Sequence, residues 1–349
     1  MTLKLRFAFI ILALALSVFL SAQEEKVDYI PKISGYVQGL YQLNEGVGTH
    51  TNTFKMQRVR ATISGNICKK VTYLVQGDLV CSPMLMDAYV KYSVCPQFAI
   101  QAGQFKLPFT METAMNPLDL EIFDYGESIK GLVGYSDVCG VGKSGRDMGI
   151  MISGDLFRLE DKDFSLLNYN IGIFNGNGPN VIDNNKEKDI VGRIKFHPWL
   201  KDLTITGSGY YGKYLNSSIE EKGLRMRYSF GAEYRNERFV FRSEYIGGKT
   251  GQEPYFNNQG YYAVTGYKFR FGREGKQQSL MPLLRYERFT KDLANECSAK
   301  SYYTIGLDYW PIKNVNFKLD YSLVQNISDD TNRHLLSFNR VSALLSFRF

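Results

Sequence analysis

The feature that most constrains this chain is a run of about ten residues of alternating polarity, repeated from residue 33 to the last residue. Successive side chains of a strand point to opposite faces, so such a run makes a ribbon with one apolar and one polar face. The C-terminal example is Val341 to Phe349. Val341, Ala343, Leu345, Phe347 and Phe349 share one face, and Arg340, Ser342, Leu344, Ser346 and Arg348 share the other, with Leu344 as the lapse. Within 224–235, Met226, Tyr228, Phe230, Ala232 and Tyr234 oppose Arg225, Arg227, Glu233 and Arg235. The pattern predicts strands over 33–43, 54–66, 71–80, 85–94, 98–107, 146–154, 167–175, 188–197, 203–212, 224–235, 237–247, 259–271, 279–290, 300–310, 315–325 and 336–349. That is an all-β, sixteen-stranded antiparallel pattern, and an even count returns both termini to one side, as a closed bacterial barrel requires.

A half-buried soluble sheet has the same period. The membrane barrel is favoured by segment length, by tyrosines and phenylalanines at the ends of the apolar faces, and by an export signal. Residues 1–22 read as a signal peptide: Lys4 and Arg6, an apolar run from Phe7 to Leu20, then Ser21 and Ala22. The barrel domain then spans 23–349. No later stretch is long and apolar enough for a membrane helix. The formal charge of +7 falls to +5 without Lys4 and Arg6, which is modest for a nucleic-acid binder, and none is expected as a partner. Five cysteines at 68, 81, 95, 139 and 297 form no CxxC pair. They leave one disulfide or free thiols as alternatives, and no metal or cofactor site.

Connections predicted after the second, fourth, tenth and fourteenth strands are short; those after the first, fifth, seventh, ninth and eleventh are longer and rich in Gly, Asn and acids. Short periplasmic turns and long external loops suit a barrel. One connection, Pro108 to Gly145, is out of scale, and a loop this long inside a compact domain is usually functional. It carries Glu112, Asp119, Glu121, Asp124, Glu127 and Asp137 against Lys130 and Lys143. A wide barrel has room for it to fold inward and narrow the channel; the alternative is a surface loop. Arg146 and Asp147, just after it, are candidates to anchor it to the wall.

Motifs in order sharpen the reading: Gln57-Arg-Val-Arg-Ala-Thr-Ile-Ser-Gly65, Asp87-Ala-Tyr-Val-Lys-Tyr92, Ala102-Gly-Gln-Phe-Lys-Leu-Pro-Phe109 with Glu112, Arg146 to Gly154, Gly172-Ile-Phe-Asn-Gly-Asn-Gly178, and Asn184 to Arg193. Together they resemble the phosphate-selective porin family, porins O and P, of Gram-negative outer membranes, most densely over 54–212. The resemblance implies a sixteen-stranded, trimeric porin whose third external loop constricts the pore. Phosphate selectivity in that family resembles an arginine ladder and a lysine cluster leading to an arginine-rich constriction, whereas this loop carries six acids against two bases.

Charge is costly on a lipid face, so strand charges belong in the lumen. The candidates there are Arg58, Arg60, Lys91, Arg193, Lys195, Arg225, Arg227, Arg242, Lys268, Arg270, Arg285 and Lys318, with Arg340 and Arg348 on the last strand. Asp87, Glu233, Glu244, Glu287, Asp308 and Asp320 share those faces. An excess of bases favours anions, and Arg matches phosphate geometry; pairing of these charges across strands is the competing reading. Constriction-loop candidates are Glu112, Asp119, Glu121, Asp124, Glu127, Lys130, Lys143 and Arg146. The expected solutes are small, anionic or polar, phosphate or polyphosphate among them, and outer-membrane lipid surrounds the barrel. A general non-selective porin, an outer-membrane hydrolase and an adhesion barrel are the alternatives. A hydrolase needs a positioned base, and His50, His197 and His334 show no partner spacing. Phe349 resembles the assembly signal of bacterial barrels, which implies the β-barrel assembly machinery as a partner.

Overall fold

The computed structural model describes residues 27–46, 49–159, 164–273, 277–327 and 335–349. The leader 1–22 and His334 lie outside the described residues. The strands are β1 (Lys32–Gly46), β2 (Thr49–Cys68), β3 (Val71–Asp78), β4 (Leu85–Cys95), β5 (Phe98–Lys106), β6 (Arg146–Leu159), β7 (Phe164–Phe174), β8 (Asp189–Phe196) and β9 (Leu203–Asn216). They continue as β10 (Glu221–Arg235), β11 (Phe239–Gly251), β12 (Phe256–Tyr267), β13 (Phe269–Phe271), β14 (Gln278–Thr290), β15 (Ala299–Ile312), β16 (Val315–Ile327) and β17 (Leu335–Arg348). β12 and β13 both pair with β14 and are one stave interrupted at Lys268, so sixteen staves form the wall. Neighbours pair antiparallel in chain order, and β1 pairs β17 from Tyr36↔Arg348 to Gly46↔Phe338, closing the barrel.

The closure extends to the last residue. The Gly35 and Phe349 peptides each donate to the other's carbonyl at 3.0 Å. The Phe349 ring lies over Gly35, where a Cβ would stand 2.5 Å from it, so no larger residue fits there. The expected faces hold. Leu345, Phe347, Tyr228 and Phe230 point out among the exposed large apolar residues, while Ser342, Ser346, Arg225 and Arg227 are buried on the inner side. Leu344, the lapse, is fully buried and pairs with Leu40 across the seam.

Several strands are longer than predicted, while β3, β5 and β8 are slightly shorter. β2 has 20 residues and β1 has 15. The connections expected to be long after the first, ninth and eleventh strands are therefore short: β1 ends at Gly46 and β2 starts at Thr49, and only 217–220 and 252–255 join the other two pairs. Polar composition does not stop a ladder from continuing beyond the apolar belt, as Asn44 donating to Thr51 across the first hairpin at 2.7 Å illustrates. Long connections do follow β5 and β7, at 107–145 and 175–188. None of the five cysteines is in a disulfide.

Candidate functional site

The segment between β5 and β6 is short pieces of helix with local caps. The Thr110 hydroxyl accepts from Thr113 N at the start of the turn Met111–Ala114. Asn116 and Pro117 open the 3-10 turn Pro117–Asp119, and Gly126 opens the helix Glu127–Leu132. The segment is also rich in large apolar residues. Phe109, Leu120, Ile129, Leu132 and Val133 are buried with Phe174, Val191, Tyr210, Ile246, Tyr262 and Val264 of the wall in one core. This apolar surface is what holds the segment against the inner wall, since each such side chain gains about 1.5–3 kcal/mol by leaving water. Close seating uses glycine: a Cβ at Gly126 would stand 2.3 Å from the Arg285 guanidinium.

Wall arginines and segment carboxylates then meet in a shared network. Arg58 donates to Asp124, Arg285 to Glu112, and Arg242 to both Glu112 and Glu121. Arg227 makes a two-pronged contact with Asp137, one arm at 2.7 Å, and Arg225 lies 4.0 Å from the same carboxylate. Backbone groups add to this. Lys318 donates to the Leu118 and Leu120 carbonyls, Asp320 accepts from Phe123 N at 2.8 Å, and Glu244 accepts from Met111 N at 3.0 Å. Burial acts to raise the Glu121 carboxyl, but Arg242 and Arg235 outweigh it and hold it down at about 2. Burial likewise opposes ionisation of Asp124 and Asp137, and Lys130 with Arg58, and Arg227, respectively, still push both below the ordinary range.

The candidate bases therefore divide. Arg58, Arg225, Arg227, Arg242, Arg285 and Lys318 are tied to the segment. Arg60 pairs with Asp78 at 2.8 Å and Arg146 with Asp87 at 2.9 Å. Arg193 donates to the Thr110 carbonyl at 2.9 Å, and Lys91 and Lys195 are half-buried on the inner face beside the short turns. Two placements need correction. Lys268 sits at the break between β12 and β13, and Arg270 is exposed at the rim, paired with Glu237 of a short turn, because the pairing with β11 ends at Tyr267 and only the β14 side of the ladder continues there. Among the segment candidates, Asp119 and Lys143 are exposed and Lys130 spans Asp124 and Glu127 at 2.9 and 3.4 Å, so its carboxylates do not converge on one point. The His197 ring hydrogen-bonds with Asn168 and Thr204 and lies edge-on to the Phe164 ring.

The segment leaves space beside β1–β6. A cavity of about 670 Å³ is lined by Arg58, Arg60, Asp78, Asp137 and Lys143, and one of about 270 Å³ by Arg60, Asp87, Lys106 and Arg146. Arg60 borders both. Lys106, absent from the sequence candidates, reaches the Met115 carbonyl at 2.7 Å and the Tyr125 hydroxyl at 3.2 Å, with no carboxylate bonded to it among the described residues. Its position as the last strand residue before Leu107-Pro108, where the segment begins, is the signal that marks it.

Residues 32–238 match the family model of the phosphate-selective porin O and P. The chain belongs to that family. No curated protein matches this porin in sequence. Its fold is similar to that of an anion-selective porin from Comamonas acidovorans, at TM-score 0.66 and 12% identity, covering 92% of this chain and 100% of that one. The in-vitro folded OmpT of Vibrio cholerae in its trimer form aligns at TM-score 0.65 and 10% identity over 92% and 100%. Salmonella typhi OmpF, in complex with daunomycin, aligns at 0.64 and 12% over 91% and 97%. Family and barrel together are those of an outer-membrane channel rather than an enzyme.

Proposed function

We propose that this porin passes small anionic solutes by diffusion along the β1–β6 side of the lumen, narrowed by the segment 108–145. The observation that carries the reading is the pair of cavities meeting at Arg60, lined by Arg58, Arg60, Lys106, Lys143 and Arg146 against Asp78, Asp87 and Asp137. An excess of fixed positive charge in a confined aqueous path raises the local anion concentration. The acids of the segment do not oppose this: Glu112 and Glu121 are buried against Arg285 and Arg242, and with Arg58 spent on Asp124 and Asp137 on Arg227 the path keeps Arg60, Lys106, Lys143 and Arg146 against Asp78 and Asp87. Residues 1–22 act as the export leader of a 23–349 barrel, and three copies assemble, as in the Vibrio cholerae trimer form. Phosphate enters as one anion among several.

Reversal potentials in a KCl gradient across planar bilayers test the reading. Chloride preference is expected, and an Arg60→Gln, Lys106→Gln double variant moves the potential toward zero. Potassium preference in the wild type overturns the proposal. The pairing of Arg60 and Arg146 with acids favours a second reading, a non-selective porin; a wild-type potential near zero would establish it.

A further inference from the structure

A different part of the inner wall, on β6–β10, carries a row of short polar side chains in register. Ser153 pairs with Asn170, Asn170 with Arg193, Arg193 with Ser208, and Ser208 with Ser229. One step nearer the short turns, Asn168 pairs with Lys195 and Lys195 with Thr206. Flanking Ile171, Ile194 and Phe230 are exposed on the outer side, which puts both rows inside. The rows lie between the start of the segment, where Arg193 reaches the Thr110 carbonyl, and the short turn 197–202.

The polar atoms here are incompletely used. Arg193 Nε, Ser208 Oγ and Thr206 Oγ1 are buried without a hydrogen-bond partner in the chain. Among the described residues no carboxylate hydrogen-bonds to Arg193 or Lys195. The acids around the rows are already engaged: Glu244 accepts from Met111 N, Tyr262 and the row's own Ser229, Asp155 from the row's Asn168, and Glu233 from Arg242 and Arg235. Buried hydroxyls and guanidinium N–H groups left unpaired recruit a partner from the lumen. Two cations beside neutral hydroxyls and amides, spread over three strands or about 10 Å, match a solute with an anionic end and a hydroxylated body. A bare phosphate has oxygens enough for all four side chains but not the reach to meet groups spread over three strands.

We infer that the inner faces of β7–β9, through Arg193, Lys195, Thr206 and Ser208, form a binding site for a polyol carrying a phosphate or carboxylate group, such as a sugar phosphate. The inference rests on the channel reading for the route by which the solute arrives, but not on the β1–β6 cavities.

The test is interruption of chloride current through the full barrel by glucose 6-phosphate, gluconate, inorganic phosphate and glucose, with calorimetric titration of the same solutes into detergent-solubilised protein. Glucose 6-phosphate should act at a concentration about fivefold below that of inorganic phosphate, the worth of one or two hydrogen bonds, and glucose should have no effect. Gluconate as potent as glucose 6-phosphate would identify a carboxylate rather than a phosphate as the preferred anionic end, and still supports the site. Ser208→Ala and Thr206→Val, which leave the Thr110 contact intact, should erase the fivefold difference. Arg193→Gln should weaken both anions, with heat-modifiable migration confirming a folded barrel. Equal potency of phosphate and glucose 6-phosphate in the wild type, or no change in the Ser208 and Thr206 variants, overturns the site. Chloride preference without any block sinks the site alone, whereas potassium preference sinks the channel reading and leaves calorimetry to decide the site.

Discussion

Replacing Asp137 by Asn removes the carboxylate that holds the far end of the 108–145 segment. Arg227 is almost wholly buried and takes its bidentate contact from Asp137; its other partners are the Leu132 carbonyl at 2.8 Å and Thr250 at 3.3 Å. Leaving such a cation without its carboxylate costs about 3–5 kcal/mol, or roughly a 10²- to 10⁴-fold rise in the open population at about 1.36 kcal/mol per decade. The remaining anchors at Glu112, Glu121 and Asp124 stay in place, so the opening is local to residues 133–142. Cys139 reports it. Its thiol is buried, and burial pushes it up to about 12. In a chain with Cys68, Cys81, Cys95 and Cys297 changed to Ser, Cys139 should react with a methanethiosulfonate reagent at pH 8 at least a hundredfold faster in the Asp137→Asn variant, on the lower bound of that range. Asp119→Asn, an exposed position, is the control and should change nothing. A rate for Asp137→Asn within about threefold of the parent, less than 1 kcal/mol, would refute the claim that this ion pair holds the segment.

Two further outcomes follow from the same geometry. The Glu121 carboxyl is depressed from 4.5 to about 2, so its contribution to docking is full above pH 4.5 and lost as pH falls toward 2; the conductance difference between wild type and Glu121→Gln should be constant above 4.5 and shrink progressively as the pH falls toward 2, and a difference that grows on acidification contradicts the assignment. Phe349→Asp removes the ring over Gly35 and sets a charge beside lipid, so insertion into the outer membrane should fall sharply while any inserted barrel conducts normally; normal insertion counts against the closing role of this residue.

The wall was legible because a two-residue period writes each side chain's face directly into the sequence, as Phe230 and Ser229 do. Strand ends were not: Asn44 and Thr51 look like loop residues, yet they pair across a hairpin that needs no apolar face. The 108–145 segment was legible as an insertion of functional scale but not in its seating. Glu112 and Arg285 are 173 positions apart, and no local pattern couples them. The apolar content of the segment, Phe109, Leu120, Ile129 and Leu132, did carry the information, because a solvated loop has no use for so many large apolar side chains. Counting bases per face overstated the free positive charge, since Arg242 and Arg285 are spent on segment carboxylates.

The segment also touches both sides of the β1–β17 seam from within. Asp124 grips Arg58 on β2, while the Leu118 and Leu120 carbonyls and Phe123 N grip Lys318 and Asp320 on β16. It is thus an internal tie-rod across the joint where the first and last strands meet. Parting that joint sideways stretches the tie-rod, so the finished wall resists lateral opening with more than its own ladder.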